Sequence, residues 1–145
     1  LRITQKILLS NYGYLMKNLS TFTIFNQQIR SAHGNENLSA DEINVLWEAN
    51  TLQDGHKKSY LTIKYLNDRK RFEKTRWLPA LAQTKLPIHI CWGNEDAVAK
   101  VEMAHYLKEK ICKNATLTIM EGLGHFCQLG SPEKWVKYVS NFYKN

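Results

Sequence analysis

The chain has 145 residues, of which 43% are apolar and 23% are charged, and its formal net charge is +7. These proportions are those of a globular domain and exclude wholesale disorder. No apolar run approaches the roughly 18–20 residues that a membrane-spanning helix needs. The positive charge favours solubility and weak attraction to polyanions, and it does not identify a fold.

The start of the chain and its cysteines give information about the cellular compartment. Leu1 suggests an internal or truncated start, and residues 1–10 lack the continuous apolar region and cleavage site of a signal peptide. Cys91, Cys112 and Cys127 form an odd set without CxxC spacing, which favours a reduced compartment without disulfides. No cluster of His, Cys, Asp and Glu has metal-ligand spacing, and no glycine-rich loop could cradle a phosphate. We therefore predict a cytoplasmic protein with no metal or other cofactor.

Residues 1–83 carry helical patterns and no convincing strand. Apolar spacing predicts helices over residues 1–19, 22–29, 39–50, 56–72 and 76–82, with a break near Asn11–Gly13 and a turn at Asp54-Gly55. Ser39 and Glu42 have the spacing of a capping box, in which the serine hydroxyl serves an early helical N–H and the glutamate reaches back to the cap.

A basic segment lies in this helical half, from Lys57 to Arg76. Its basic residues outnumber the two acids, Asp68 and Glu73, and are interleaved with aromatic residues. That combination is one signature of nucleic-acid binding. A solvated helix face is far commoner, so we expect no nucleic-acid partner.

Residues 84–145 change to a strand, helix, strand, helix pattern. The runs Ile88–Trp92 and Thr116–Met120 are short and apolar and predict two strands, with a helix over Val101–Cys112 between them. Ser131, Pro132 and Glu133 supply an N-cap, a first-turn proline and a first-turn acid for the last helix. That helix is predicted to bury Trp135, Val136, Val139 and Phe142.

The predicted sheet is too small to be stable alone. Parallel sheets are normally larger and covered on both faces, and two strands leave unpaired backbone groups at open edges. This half therefore reads as the end of a larger sheet. An open apolar edge also invites pairing with a second copy of the chain, as a homo-oligomer.

A carboxylate and an imidazole follow the two predicted strands. Asp96 lies just after the first strand and His125 just after the second, so both should lie at one edge of the sheet. A carboxylate can fix the imidazole tautomer while the other ring nitrogen works as a base. The alternatives are that Asp96 caps the next helix, that His125 is a loop residue bonded to backbone, or that Glu95 is the acid. Cys127 is interpreted as a packed thiol rather than a nucleophile.

This arrangement resembles the closing segment of the α/β-hydrolases, which runs strand, G-x-x-D, helix, strand, G-H, helix. The resemblance implies that Asp96 is the acid and His125 the histidine of a nucleophile–acid–His triad. It also implies an α/β fold in which residues 1–83 form a helical cap, or lid, and residues 84–145 form a C-terminal β-α-β-α segment. The run YLNDRKRF at Tyr65–Phe72 is similar to the mesoderm-specific-transcript-like branch, close to epoxide hydrolases and haloalkane dehalogenases.

The chain departs from the family pattern in its nucleophile. No G-x-S-x-G elbow or Asp version of it is present, and His33-Gly34 follows a helical segment and is interpreted as a turn rather than an oxyanion loop. Ala97–Lys100 replaces the proline-containing sequence common after the acid. The chain is therefore interpreted as a C-terminal portion that is inactive alone, with the N-terminal remainder of the core as its partner. Whether the nucleophile is Ser or Asp stays open.

Two tryptophans are candidates for binding a small-molecule substrate. Trp47 and Trp77 could line a pocket between lid and sheet, where large apolar side chains are typical. The expected substrate is small and largely apolar, of the ester, epoxide or halide class. The alternative function is a non-catalytic α/β-hydrolase-like binding or interaction module.

Overall fold

The computed structural model describes residues 3–34 and 38–144. Its α-helices are α1 (Ile3–Leu9), α2 (Phe22–His33), α3 (Ala40–Thr51), α4 (Ser59–Thr62), α5 (Tyr65–Phe72), α6 (Leu78–Gln83), α7 (Glu102–Tyr106), α8 (Cys127–Gly130) and α9 (Pro132–Lys144). Its strands are β1 (His89–Gly93) and β2 (Thr116–Met120). The chain divides into two compact units, the first containing Leu1–Gln27 and Ser39–Arg76 and the second Gln28–Leu38 and Trp77–Asn145.

The first unit is helical, as predicted, and α3 begins with the predicted capping box. The Glu42 backbone N–H donates to Ser39 Oγ at 3.2 Å, and the Ser39 backbone N–H donates to Glu42 Oε2 at 2.8 Å. The ring of Trp47, on the same helix, packs against Phe22 and Phe25, with centroids 5.9 and 5.2 Å away. The His56 ring also contacts the Trp47 ring in a tilted arrangement, with centroids 5.5 Å apart. An aromatic cluster thus ties α2, α3 and the segment after α3 together.

The helix predicted over residues 56–72 begins only at Ser59 and is divided into α4 and α5 by a turn at residues 63–64, and the chain before it is also irregular. Gln53 and Asp54 both adopt positive φ, 50° and 59°, within a 3₁₀ segment over Leu52–Lys58. A helix cannot run through left-handed residues, so α3 ends at Thr51 and the chain restarts as the short α4. The turn predicted at Asp54-Gly55 is present, but it extends further in both directions than the dipeptide suggested.

The second unit contains the predicted parallel strands. β1 pairs with β2 in the register His89 to Thr116 through Gly93 to Met120. The second strand has the predicted bounds, whereas β1 lies one residue later than predicted, because Gly93 is still paired. A parallel pair requires a crossover connection, which α7 and the π-helical turn Leu107–Ile111 supply.

Alternate residues of the two strands pack against helices on opposite faces of the sheet. On one face Ile90 packs with Ala104 of α7, and residues 112 and 115 complete the cluster. On the other face Met120 packs with Trp135 and Tyr138 of α9. Trp135 packs against this cluster as predicted, whereas the prediction that α9 buries Val136 is wrong, since that residue is 54% exposed and Tyr138 packs there instead.

The second compact unit combines segments from before and after residue 83. Residues 28–38 and 77–83 group with the strand-containing segment rather than with the other helices. One reason is local: Gly34 forms an antiparallel bridge with Leu123, which ties the end of α2 to the loop after β2. The roles of residues 1–83 as a cap and of 84–145 as a core segment stay predictions. In the described part of the chain, no helix has the length and apolar character needed to cross a membrane.

Candidate functional site

Asp96 is the buried carboxylate of the loop that follows β1. The residue is 8% exposed, and its two carboxylate oxygens have different partners. Oδ1 accepts hydrogen bonds from the backbone N–H groups of Val98 and Ala99, both at 2.7 Å. Oδ2 lies 2.8 Å from Nδ1 of His125. Asp96 therefore pairs with the imidazole through Oδ2, while Oδ1 closes a turn within its own loop. The alternative that Asp96 caps the next helix is wrong, because α7 begins at Glu102 with Val101 at its N-cap.

His125 is oriented by this contact. An ionised carboxylate can only accept, so Nδ1 must carry the proton and Nε2 keeps its lone pair in the neutral ring. The side chain of His125 is 37% exposed, against 6% for Asp96, so the pair has one buried and one accessible end. The Phe126 ring meets the imidazole edge-on, with centroids 5.2 Å apart. The arrangement provides an oriented imidazole whose outer nitrogen can accept a proton.

Backbone contacts hold the two loops at the edge of the sheet. The Glu95 backbone N–H donates to the Leu123 carbonyl at 2.9 Å, which continues the pairing of the strands beyond their ends. An ideal Cβ at Gly93 would lie 2.2 Å from that same carbonyl oxygen, so the absence of a side chain allows this approach. Glu95 itself is exposed, as predicted. Glu95 is therefore a poorer candidate for the acid than the buried Asp96.

The end of α2 makes a further contact that the sequence did not indicate. The carbonyl oxygens of His33 and Ala32 accept from the backbone N–H groups of Gly124 and His125, each at 2.8 Å. His33-Gly34 is a helix-ending turn, as predicted, with Gly34 at φ 92°. This contact is made by backbone carbonyl groups, which leave no signal in the residue types. Only the position of Gly34 directly after a helix could have indicated the contact.

The two candidate tryptophans have different surroundings. Trp47 lies in the first unit, where its ring belongs to the cluster with Phe22, Phe25 and His56. Trp77 lies in the second unit, together with Asp96 and His125, and is 38% exposed. Their role in substrate binding stays a prediction, as does the catalytic role of Asp96 and His125.

Burial keeps the thiols near the site protonated. Burial raises the pKa of Cys91 to about 11, with a smaller contribution from the neighbouring Cys127 thiol. Burial also raises the pKa of Cys127, and the negative charge of Asp96 raises it further. A catalytic thiol needs a lowered pKa, so these directions favour the interpretation of Cys127 as a packed thiol.

The remaining predicted alternatives concern charge and metals. The basic side chains between residues 57 and 76 are mostly exposed, and Arg69 pairs with Glu73 at 3.0 Å. The expectation that this segment is a solvated face without a nucleic-acid partner stays a prediction. Across residues 3–34 and 38–144, no group of three or more His, Cys, Asp and Glu residues is placed to hold a metal ion.

The chain is similar to known proteins over most of its length. No family model matches the chain. A hydrolase named LipZ from Mycobacterium tuberculosis is 32% identical over 94% of the chain, and the human mesoderm-specific transcript homologue is 28% identical over 88%. Their matched parts are 47% and 38% of their own lengths, so the chain spans about half or less of these curated relatives.

Solved structures match the architecture. A serine hydrolase involved in carbazole degradation superposes with a TM-score of 0.70 at 15% identity, over 86% of this chain and 48% of its own. A lipase named lip1 from Acinetobacter baumannii also has a TM-score of 0.70, at 24% identity, over 91% of this chain and 45% of its own. The chain is part of an α/β-hydrolase fold.

The α/β-hydrolase assignment confirms the predicted resemblance and accounts for the small sheet. The matched structures are about twice as long as the matched region, so their folds contain elements beyond those present here. The parallel strands β1 and β2 and their covering helices belong to that larger architecture, and the predicted C-terminal portion agrees with these matches.

We expect Gly124→Ala to damage the site through the backbone of α2. A Cβ at this position would lie 2.3 Å from the His33 carbonyl carbon, so the loop that carries Gly124 and His125 must move away from the end of α2. Denaturant unfolding should show a loss of about 1–3 kcal/mol in the free energy of unfolding, as for other overpacked sites. Hydrogen exchange at the His125 backbone N–H should also accelerate.

Gly122→Asn is the matched control. Gly122 has φ 77°, a conformation that Asn tolerates, and a Cβ there meets nothing within 4 Å. This variant should keep the His125 N–H protected. Equal effects of the two substitutions would contradict the proposed contact between Gly124 and the end of α2.

We expect Cys91 to resist alkylation in the folded chain. With the pKa raised from 9.0 to about 11, the thiolate fraction near pH 8 falls about 100-fold, and the rate with iodoacetamide should fall with it. The same shift stabilises the fold below about pH 9, and that contribution is lost as the pH rises towards 11. Mass spectrometry of labelled peptides, with urea-unfolded chain as the reference, measures both cysteines. Labelling of native Cys127 at the unfolded rate would indicate a reactive thiol.

Proposed function

We propose that this chain supplies the acid and the histidine of a nucleophile–acid–His triad that hydrolyses a small, largely apolar substrate. The observation that carries the proposal is the 2.8 Å contact between Asp96 Oδ2 and His125 Nδ1, at the carboxyl ends of two paired parallel strands. The hydrolase name of the LipZ relative supports the reaction class. Ester, epoxide and halide substrates all suit this chemistry.

The proposed mechanism follows from the orientation of the imidazole. Asp96 holds the ring with the proton on Nδ1 and stabilises the imidazolium once Nε2 accepts a second proton. With a serine nucleophile, Nε2 takes the hydroxyl proton during attack and gives it to the leaving group as the ester-type intermediate forms. Nε2 then takes a proton from the hydrolytic water and returns it to the serine oxygen as the acid product leaves. With an aspartate nucleophile, only the water step needs the histidine. In both versions an ester-type intermediate is hydrolysed with help from His125.

The nucleophile in this proposal lies outside the sequence given. No two glycines of the chain frame a Ser or Asp in the spacing of the family's elbow. The proposed partner is therefore the N-terminal remainder of the hydrolase core, which would also extend the sheet beyond β1 and β2. Pairing of the open sheet edge with a second copy is the alternative way to cover it.

Substitution of the pair tests the proposal. In the protein as its gene encodes it, Asp96→Asn and His125→Gln should each lower kcat by about 10³–10⁴-fold, because the first leaves the wrong tautomer and the second removes the base. A panel of p-nitrophenyl esters, an aryl epoxide and a haloalkane provides the assay. Glu95→Gln, one residue away and exposed, should stay within about threefold of wild type.

The result also separates the two candidate functions. Hydrolysis that survives both substitutions would overturn the triad assignment, and a complete protein without hydrolysis of any panel member would favour a binding module. The 145-residue chain alone should be inactive. Turnover by the chain alone that depends on His125 would show that the nucleophile lies within it and contradict the proposed division.

Trp77 is the substrate contact that we would test first. It is exposed in the same unit as the proposed catalytic pair, whereas the Trp47 ring is engaged in aromatic packing. Trp77→Ala should raise KM about tenfold with little change in kcat, since an apolar pocket contact binds substrate and transition state alike. Tyr143→Ala, which removes a ring that is 80% exposed on α9, is the control. An unchanged KM would remove Trp77 from the site.

A further inference from the structure

Asn94 connects the two loops that carry Asp96 and His125. It directly follows β1, and its half-buried side chain crosses to the loop after β2. There Oδ1 accepts a hydrogen bond from the Gly122 backbone N–H at 2.8 Å, and Nδ2 donates to Glu121 Oε2. The Asn94 backbone N–H donates to the Met120 carbonyl at 3.2 Å. One residue thus makes three hydrogen bonds across the edge of the sheet.

The two groups that bind the Asn94 side chain determine the orientation of its amide. The Gly122 N–H can only donate and the ionised Glu121 carboxylate can only accept, so the amide oxygen must face the first and the nitrogen the second. A serine would be too short to reach both, and an aspartate would offer no donor. The position therefore requires a donor and an acceptor on one short side chain.

The distance between the catalytic candidates depends on this connection. Asp96 lies two residues after Asn94, and His125 lies three residues after Gly122, so any relative slip of the loops changes the separation of Oδ2 and Nδ1. Gly122 has φ 77°, which turns the chain at the point where the Asn94 oxygen holds its N–H. A misplacement of about 1 Å at a catalytic pair can cost about 100-fold in rate.

We propose that Asn94 is a positioning residue that keeps His125 Nδ1 on Asp96 Oδ2 by joining the two loops through Glu121 and Gly122. This inference rests on the proposed function for its catalytic consequence. The joining of the two loops next to the His125–Asp96 contact rests only on the hydrogen bonds described. Both polar groups of the Asn94 side chain are engaged with these partners, so it acts through the loops rather than on a reacting atom.

Asn94 donates a hydrogen bond to Glu121. Exchanging the donor and the acceptor between these two positions therefore tests the proposal. Asn94→Asp keeps the shape and the acceptor for Gly122 but sets a second carboxylate against Glu121. Glu121→Gln alone keeps an acceptor for the Asn94 amide, so the hydrogen bond between the two side chains should persist in this variant. In the double variant the amide donates from position 121, so the contact is restored with its polarity reversed.

The expected results differ among the three variants in the protein as its gene encodes it. Asn94→Asp should lower kcat about 10–100-fold with KM within about twofold, because the loss lies in the orientation of the imidazole. The double variant should recover to within about threefold of wild type. The proton NMR signal of His125 Nδ1–H should weaken in Asn94→Asp and return in the double variant. Circular dichroism shows whether each variant is folded.

Two outcomes would overturn the positioning role. One is a folded Asn94→Asp variant that keeps both its turnover and the Nδ1–H signal. The other is a double variant that is no better than Asn94→Asp in either measurement. If the ring signal follows the exchange while Asp96→Asn and His125→Gln leave hydrolysis intact, the positioning role stands and the triad assignment fails.

Discussion

The parallel pairing of β1 with β2 is the constraint on which the candidate site depends. Because the strands run in the same direction and end in register at Gly93 and Met120, the loops that follow them begin side by side. Asp96 and His125 are 29 positions apart in the chain and meet only because of this pairing. An antiparallel arrangement would place the same residues at opposite ends of the strands. The chemistry of the pair is therefore a consequence of strand direction.

Asp96 shows how one carboxylate serves two requirements. Oδ1 is held by two backbone N–H groups of its own loop, and this fixes the carboxylate plane before any contact with the histidine. Oδ2 is then left pointing at Nδ1 of His125. Because both oxygens accept hydrogen bonds, the carboxylate can be buried without leaving an unsatisfied acceptor. The hydrogen bonds within the loop therefore orient the carboxylate for its contact with His125.

Features that depend on particular side chains at particular spacings were predictable from the sequence. Features that depend on backbone groups were not. The capping box at Ser39, the strand at Thr116–Met120 and the proximity of Asp96 to His125 follow from residue type and spacing. The left-handed pair at Gln53 and Asp54 carries no such signal, because neither residue prefers positive φ strongly enough to predict it. The α2 turn contributes only carbonyl groups, which every residue possesses. Exposure of Val136 depends on which side of α9 meets the sheet, a choice that helical spacing leaves ambiguous.

The hydrogen bond from His125 to Ala32 also has a consequence for folding. It joins residues about 90 positions apart, whereas the strand pairing closes a much shorter loop. Closing a longer loop costs more conformational entropy, so this contact should form after the β-α-β unit rather than with it. A chain emerging from the ribosome would have to keep the end of α2 available until the last strand had been made. The backbone of the loop that carries His125 therefore gains its contacts with α2 late, after the strand pairing that brings His125 next to Asp96.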